Sequence, residues 1–405
     1  MRTLRVLIPV VLLLTAVAFT SGAEGATLLA DEGTPAAPAI GQPGSLVEVY
    51  GIIDTGLRLS TNADAAGDSS FSFSQGLFNG SRFGIRGTED IGASFKAIYT
   101  LEGGVVLPYG MLDQQGQIFG RQAWVGVSSD YGTLTFGRQY GTFSDALGVG
   151  DVFGGGHGNM GYNNGKAGNA NSLSGTDAVN SFFLSETGFR WDQSVKYAAN
   201  FSGVTVGAMA MLGDMTGTYQ EDTMFSGSLG YNAKGFPVVA AVGAQYEIDK
   251  SQNHHIQVGG GLKYALDATD GVYAFYFHSA FDQGFAQTSA NNSEFAGPQS
   301  FARTDDIANV GVNYFVLPSL NLIASYYFDY AQNVLANGDN GMRNSFLAAV
   351  DYYFTKDFDA YVAGWYSLFN SALQNAGKNG GDIGSTASTS YSNSLSFMVG
   401  GRYRF

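Results

Sequence analysis

The sequence predicts an all-β protein: a 16-stranded antiparallel transmembrane β-barrel with short periplasmic turns and long extracellular loops. Three observations carry this. Apolar residues recur with a period of two along most of the chain, as they do on strands with one apolar face. The alternating runs are mostly about 9 to 12 residues long, the length of a tilted strand across a bilayer. The connections alternate between short and long, which suits a barrel with tight turns at one end and has no rationale in a soluble sandwich.

The runs are, in order, 46–59, 81–89, 94–104, 118–129, 132–139, 191–200, 203–212, 223–232, 236–247, 255–265, 271–280, 305–315, 320–330, 344–354, 359–369 and 393–405. In the first, Val47, Val49, Gly51, Ile53, Thr55, Leu57 and Leu59 form one face, and Glu48, Tyr50, Ile52, Asp54, Gly56 and Arg58 the other. In 320–330 the apolar face is Leu320, Leu322, Ala324, Tyr326, Phe328 and Tyr330, opposed by Asn321, Ile323, Ser325, Tyr327 and Asp329. In 344–354, Phe346, Ala348, Val350, Tyr352 and Phe354 oppose Ser345, Leu347, Ala349, Asp351 and Tyr353.

The last run puts Phe397, Val399, Tyr403 and Phe405 on one face, with Gly401 in phase. Met398, Gly400, Arg402 and Arg404 lie between them. A chain end that keeps this alternation and stops on an aromatic is expected to be tied into the sheet rather than frayed. Its apolar face should meet lipid. An even number of strands closes up and down, and a barrel of this size holds an aqueous lumen.

Short connections are EDIGA, SDYG, NFSG, NAKG, LDATD, FVLPS and FTKDFD; long ones span 105–117, 140–190, 281–304, 331–343 and 370–392. Tyr and Phe gather at strand ends: Phe71 and Phe73, Tyr326 and Tyr330, Tyr352 to Phe354, Tyr403 and Phe405. A ring that is apolar on one side and wet on the other suits the two membrane interfaces.

Composition agrees. Charged residues are only 13%, while Gly reaches 57 and Tyr plus Phe 53 of 405 residues. There is no Cys, which removes disulfides, thiolate catalysis and Cys-based metal sites. Residues 1–23 have the layout of a signal peptide: Arg2 and Arg5, then an apolar run from Val6 to Phe19, then Ser21 and Ala23. Residues 24–45 read as an N-terminal linker, and 46–405 as the barrel. Without Arg2 and Arg5 the chain has 18 basic against 34 acidic residues, a net charge near −16, which argues against nucleic acid as a partner.

Several stretches resemble the Gram-negative general porins, particularly the β-proteobacterial type. They are SRFGIRGTEDIGASFKAIYTLEGG (81–104), FGRQAWVGVSSDYGTLTFGRQYG (119–141), SVKYAANFSGVTVGA (194–208), the opening VEVYGIIDTGL and the closing GGRYRF. The resemblance implies a homotrimer in outer-membrane lipid and lipopolysaccharide. It implies passive diffusion of small hydrophilic solutes, a third loop folded into each pore, and no cofactor. It also implies that Phe405 and Tyr403 belong to a signal read by the outer-membrane assembly machinery. Gly51, Gly84, Gly126 and Gly137 lie in the first five runs, where such porins pack barrel against barrel.

Loop 3 then falls at 140–190, a long Gly-rich stretch containing GDVFGGGHGNMGYNNGKAGNAN. It is not a phosphate loop, because Lys166 lacks the spacing and no helix follows. The resemblance places a basic cluster on the opposite wall, at Arg82, Arg121 and Arg138. Parity puts Arg82 and Arg86 with Gly84 and Thr88, away from Phe83 and Ile85. Arg138 shares parity with Leu134 and Phe136, so its inward placement needs a bulge. Lys196 alternates with Val195 and Tyr197 and is a further candidate; Asp145 and Asp151 are the candidate acidic partners on loop 3. Acid facing base across a constriction sets a transverse field that discriminates ions. No aromatic track along the lumen is evident.

Among the histidines, His157, His254, His255 and His278, no pair has a metal-ligand pattern with nearby carboxylates. His278 with a Ser on a neighbouring strand is the one arrangement that suggests hydrolysis, but no nucleophile is marked. An enzyme is not expected. A selective channel on the same barrel and a structural or adhesive barrel remain the alternatives.

Overall fold

Alternation along each strand gives one face to lipid and one to the lumen. The computed structural model describes residues 45–62, 68–153, 190–213, 222–284, 302–333, 338–370 and 392–405. The signal (1–23), all of the linker (24–45) except Ser45, and most of loop 3 therefore lie outside the described residues.

The strands are β1 (Ser45–Ser60), β2 (Ser70–Gln75), β3 (Arg82–Gly92), β4 (Phe95–Val106), β5 (Met111–Leu112), β6 (Gln122–Ser129), β7 (Gly132–Tyr140), β8 (Arg190–Phe201) and β9 (Val204–Met211). They continue with β10 (Thr223–Tyr231), β11 (Val238–Ile248), β12 (His254–Ala265), β13 (Gly271–Phe281), β14 (Thr304–Leu317), β15 (Leu320–Gln332), β16 (Gly341–Tyr353), β17 (Phe358–Asn370) and β18 (Asn393–Arg404). All pairings are antiparallel and, apart from β1–β3 and β4–β6, join neighbours in sequence, and β1 closes the sheet on β18, from Ile52↔Arg404 to Ser60↔Ser396.

Two strands do not add to the wall. β2 and β3 both pair with β1, end to end, and make one interrupted wall strand. β5 is a two-residue arm on the end of β4. Among the described residues the barrel wall therefore has sixteen strands, as expected. β2, β5 and the short helix α1 (Thr142–Gly148) are the elements that the sequence did not announce.

The two faces separate cleanly. Val125, Val242, Val258, Val310, Val350, Val362 and Val399 are 44% to 60% exposed and point outward. A charge there at the bilayer midplane costs about 2–4 kcal/mol. On the other face Glu48, Asp54, Arg58, Gln245, Gln257, Asn309, Asp351 and Arg402 are buried in the lumen. The closing strand follows its predicted parity: Phe397, Val399, Tyr403 and Phe405 are exposed, while Met398, Arg402 and Arg404 point in.

Two expectations are corrected. Gly84 and Gly126 do not offer a small-residue outer surface. Their phase is inward, and a Cβ on Gly84 would stand 2.5 Å from the ring of lumenal Tyr50. Gly51 faces out but lies under Phe405. The lumen is also not polar throughout. Phe275, Phe277, Ile307, Ile323, Tyr327, Leu347, Tyr361 and Trp365 form an apolar inner wall across β13 to β17. It is covered by Leu77, Phe78, Phe143, Leu147 and Phe153.

Candidate functional site

The described part of loop 3 runs inside the barrel. α1 packs against the inner faces of β9 to β13. Glycines make room for it. A Cβ on Gly261 of β12 would stand 2.5 Å from Gly150 N and 2.8 Å from Ala146 O, both backbone atoms that have nowhere to go. A Cβ on Gly311 of β14 would stand 2.9 Å from Val152 Cγ1. Along this trench the seven residues of α1 are all buried, with Phe143 and Leu147 at 0% exposure.

Lys196 and Asp145 are brought together: Lys196 Nζ lies 2.5 Å from Asp145 Oδ2 and donates to Tyr140 O at 2.9 Å. Asp145 sits in the first turn of α1, where the helix dipole favours a negative charge. Burial pushes its carboxyl pKa up, and Lys196 opposes that shift. Asp151 goes elsewhere. It accepts from Tyr327 Oη at 3.0 Å and from Phe153 N at 3.2 Å, on the β15 side of the lumen. β15 lies across the barrel from β6.

The arginines gather on the wall from β3 to β8. Arg121 Nε donates to Glu102 Oε1 at 2.7 Å, and Arg121 Nη2 to Tyr140 Oη at 2.9 Å. Tyr50 Oη donates to the other Glu102 oxygen at 3.0 Å. Arg82 is half-buried, donates to Gly80 O at 3.0 Å, and interacts electrostatically with Arg121 and Glu102. Arg138 does point inward. A β-bulge between Gly137 and Gln139, with Gly137 at φ +129°, breaks the phase that leaves Phe136 outside. Its Nη1 then meets Asp192 Oδ1 at 2.6 Å and its Nε meets Gly120 O at 2.7 Å.

Sequence reasoning missed Arg190. Its guanidinium stands 5.0 Å over the Tyr140 ring and donates to Tyr140 Oη at 3.3 Å. The predicted strand begins at 191, which leaves Arg190 as the last residue of loop 3, whereas β8 begins at Arg190 itself. Among the described residues, the carboxylates that pair with this group of cations include Glu102, Asp192 and Asp145.

The hydrolase-like arrangement falls on His255, not His278. His255 Nε2 is 2.8 Å from Ser279 Oγ, and Nδ1 is 3.5 Å from Glu247 Oε2. All three are at most 1% exposed, so a substrate has no path to the hydroxyl. His278 faces outward and pairs with Asp306 at 3.0 Å. Among the described residues no group of His, Asp or Glu is placed to hold a metal ion.

A family model described as Gram-negative porin matches residues 13–372 of this chain. An outer membrane porin protein of Bordetella pertussis is 37% identical over 175 residues, 40% of this chain and 41% of that protein. Outer membrane porin protein 32 of Delftia acidovorans is 37% identical over 109 residues, 27% of this chain and 30% of that protein. These alignments span less than half the length of either relative. Among solved structures, an anion-selective porin from Comamonas acidovorans covers 89% of this chain and 100% of its own, with a TM-score of 0.67 and 21% identity. A trimer form of OmpT, an outer membrane protein of Vibrio cholerae, gives a TM-score of 0.57 at 14% identity, covering 89% and 100%. Both structural likenesses are likenesses of fold.

Proposed function

The chain belongs to the Gram-negative porin family, and on that premise we propose that it is an outer-membrane porin, a water-filled channel for passive diffusion of small hydrophilic solutes and ions. The observation that carries this reading is the path of loop 3. Residues 142–153 lie inside a closed barrel and cover one side of its wall, and a basic wall from β3 to β8 meets them only where Lys196 pairs with Asp145 among the described contacts. That arrangement makes an eyelet, not a binding cleft. Its wall carries Arg82, Arg121, Arg138 and Lys196, joined by Arg190; its loop carries Asp145 and Asp151. Permanent positive charge in the narrowest region favours anions. The Comamonas acidovorans porin of the same fold is described as anion-selective, which supports that direction.

The working unit is a homotrimer seated in outer-membrane lipid and lipopolysaccharide, exported by the 1–23 signal. The assembly machinery reads the strand that ends at Tyr403 and Phe405. The protein is a channel rather than an enzyme. Purified protein added to a planar bilayer should give stepwise conductance, with a reversal potential on the anion side in a KCl gradient. Protein that inserts without current steps would overturn the reading.

A further inference from the structure

The pairing of β1 breaks at one place. β2 follows it down to Thr55↔Gln75, and β3 resumes at Ile52↔Arg82. Residues 76–81 therefore stand opposite only Ile53 and Asp54, and they do not run along the wall. They turn into the lumen, where Leu77 and Phe78 are 3% and 5% exposed.

Backbone that leaves a membrane-depth sheet must have its polar groups satisfied. Asp54, at 0% exposure, does most of this. Its Oδ2 accepts from Phe78 N at 3.1 Å and Asn79 N at 2.7 Å, and its backbone O accepts from Gly76 N at 2.9 Å and Ser81 Oγ at 2.9 Å. Tyr361 of β17 donates to Asp54 Oδ1 at 2.8 Å and accepts from Leu77 N at 2.8 Å. Arg402 of β18 donates to Asn79 Oδ1 at 2.6 Å, and its guanidinium lies 4.9 Å over the Phe78 ring. The segment is held from three sides of one corner of the barrel.

What it presents is Phe78. The ring centroid is 4.4 Å from that of Tyr361 and 5.8 Å from that of Phe153, with the Phe153 plane within 18° of parallel. Phe153 lies at the far end of the loop 3 stretch that begins with α1 at the β8 side. Loop 3 is thus fastened at its start by Lys196 and Asp145, in its middle by the glycine trench and Tyr327, and at Phe153 by a segment from another strand connection.

We propose that residues 76–81 are a latch for the eyelet: Phe78 is a positioning residue that holds loop 3 in place through Phe153, and Asp54 is the residue that turns the segment inward. This rests on the channel reading above. The Phe78 side chain carries no charge, and Gly80 O, which accepts from Arg82, is part of the backbone, so Phe78 sets how steadily the pore stays open and leaves ion preference alone.

The test is single-channel recording of Phe78→Ala, Phe78→Tyr and the lipid-facing control Phe71→Ala, each checked first for the heat-dependent gel shift of a folded barrel. Phe78→Ala should close about tenfold more often, the factor that loss of one buried aromatic contact corresponds to. Its reversal potential should not move, and Phe78→Tyr and Phe71→Ala should stay as quiet as the unmodified protein. Phe78→Leu keeps apolar volume if alanine does not fold, and should show the same change to a smaller degree. The chain has no native Cys, so Phe78→Cys with Phe153→Cys can be bridged by a short bifunctional thiol reagent, and bridging should restore quiet opening. A folded Phe78→Ala channel with unchanged closures would overturn the proposal, as would a folded double-cysteine protein that cannot be bridged. If the unmodified protein gives no current, the channel reading falls and the eyelet role with it. Bridging yield then still decides whether 76–81 holds Phe153.

Discussion

The ring of Phe405 lies so close over Gly51 that a Cβ on Gly51 would stand 2.4 Å from Phe405 Cζ and 2.8 Å from Arg82 O. The two residues also exchange backbone hydrogen bonds, Gly51 N to Phe405 O at 3.0 Å and Phe405 N to Gly51 O at 3.1 Å. The seam of the barrel is thus closed by a pair in which one partner has no side chain. Gly51→Val should force the ring off the seam at a cost of about 1–3 kcal/mol, the usual range for overpacking. The barrel should then unfold at a lower temperature on unboiled gels. An unchanged transition temperature would mean that the ring moves aside freely.

Deleting Phe405 removes both of those backbone bonds and uncovers Gly51. It also takes away the ring that stacks on Tyr403 at a centroid distance of 6.2 Å. Less protein should reach the outer membrane, while any barrel that does form should conduct normally, because neither residue faces the lumen. Normal levels of the truncated protein would separate Phe405 from assembly.

The sixteen wall strands and their two faces were legible because lipid tolerates no lapse in period two. Glu48, Tyr50, Asp54 and Arg58 fell inward, and Phe397, Val399 and Tyr403 outward, where alternation placed them. The site was less legible, for three physical reasons. The irregularity where Gly137–Gln139 face Trp191–Ser194 shifts phase, which made Arg138 doubtful, and Arg190 fell one residue outside the predicted strand 191–200. Residues 76–81 have no period at all, since they leave the sheet, so Leu77 and Phe78 gave no sign of being lumenal. Ile323, Leu347 and Trp365 occupy inward positions that alternation assigns to water, yet loop 3 and the latch cover them. A face that meets protein cannot be told from one that meets solvent until the covering segment is known. α1 was missed because a seven-residue helix shows too little of its own period.

Acid should change the eyelet through Asp145. Its carboxyl pKa is raised by burial, so it takes up a proton at a higher pH than an ordinary aspartate. Once neutral, it no longer offsets Lys196, and the positive charge of the wall grows. Anion preference should therefore rise on acidification, beginning above the usual aspartate range of about 4. Asp145→Asn should show the higher preference already at neutral pH and lose that step. A step that survives in Asp145→Asn would assign it to another group.

The strongest test of the eyelet is charge removal at Arg82 and Arg121. Both guanidinium groups stay charged at any working pH. Moving ions feel charges within about 8 Å at physiological salt, so the acidic surface loops count for less than the wall of a constriction. Arg121 is the direct partner of Glu102, at 2.7 Å, and Arg82 acts on the same carboxylate. Replacing both by Gln keeps donors for Glu102 and Tyr140 but leaves the Glu102 carboxylate as the local charge. The reversal potential in a KCl gradient should move towards cations. Asp145→Asn with Asp151→Asn should move it the other way. Asp145 should account for most of that change, since Asp151 is held on Tyr327 across the barrel from the arginines. Both shifts should shrink in molar salt, where the screening length falls to about 3 Å. A folded Arg82→Gln, Arg121→Gln channel with unchanged selectivity would place the constriction on another part of the wall.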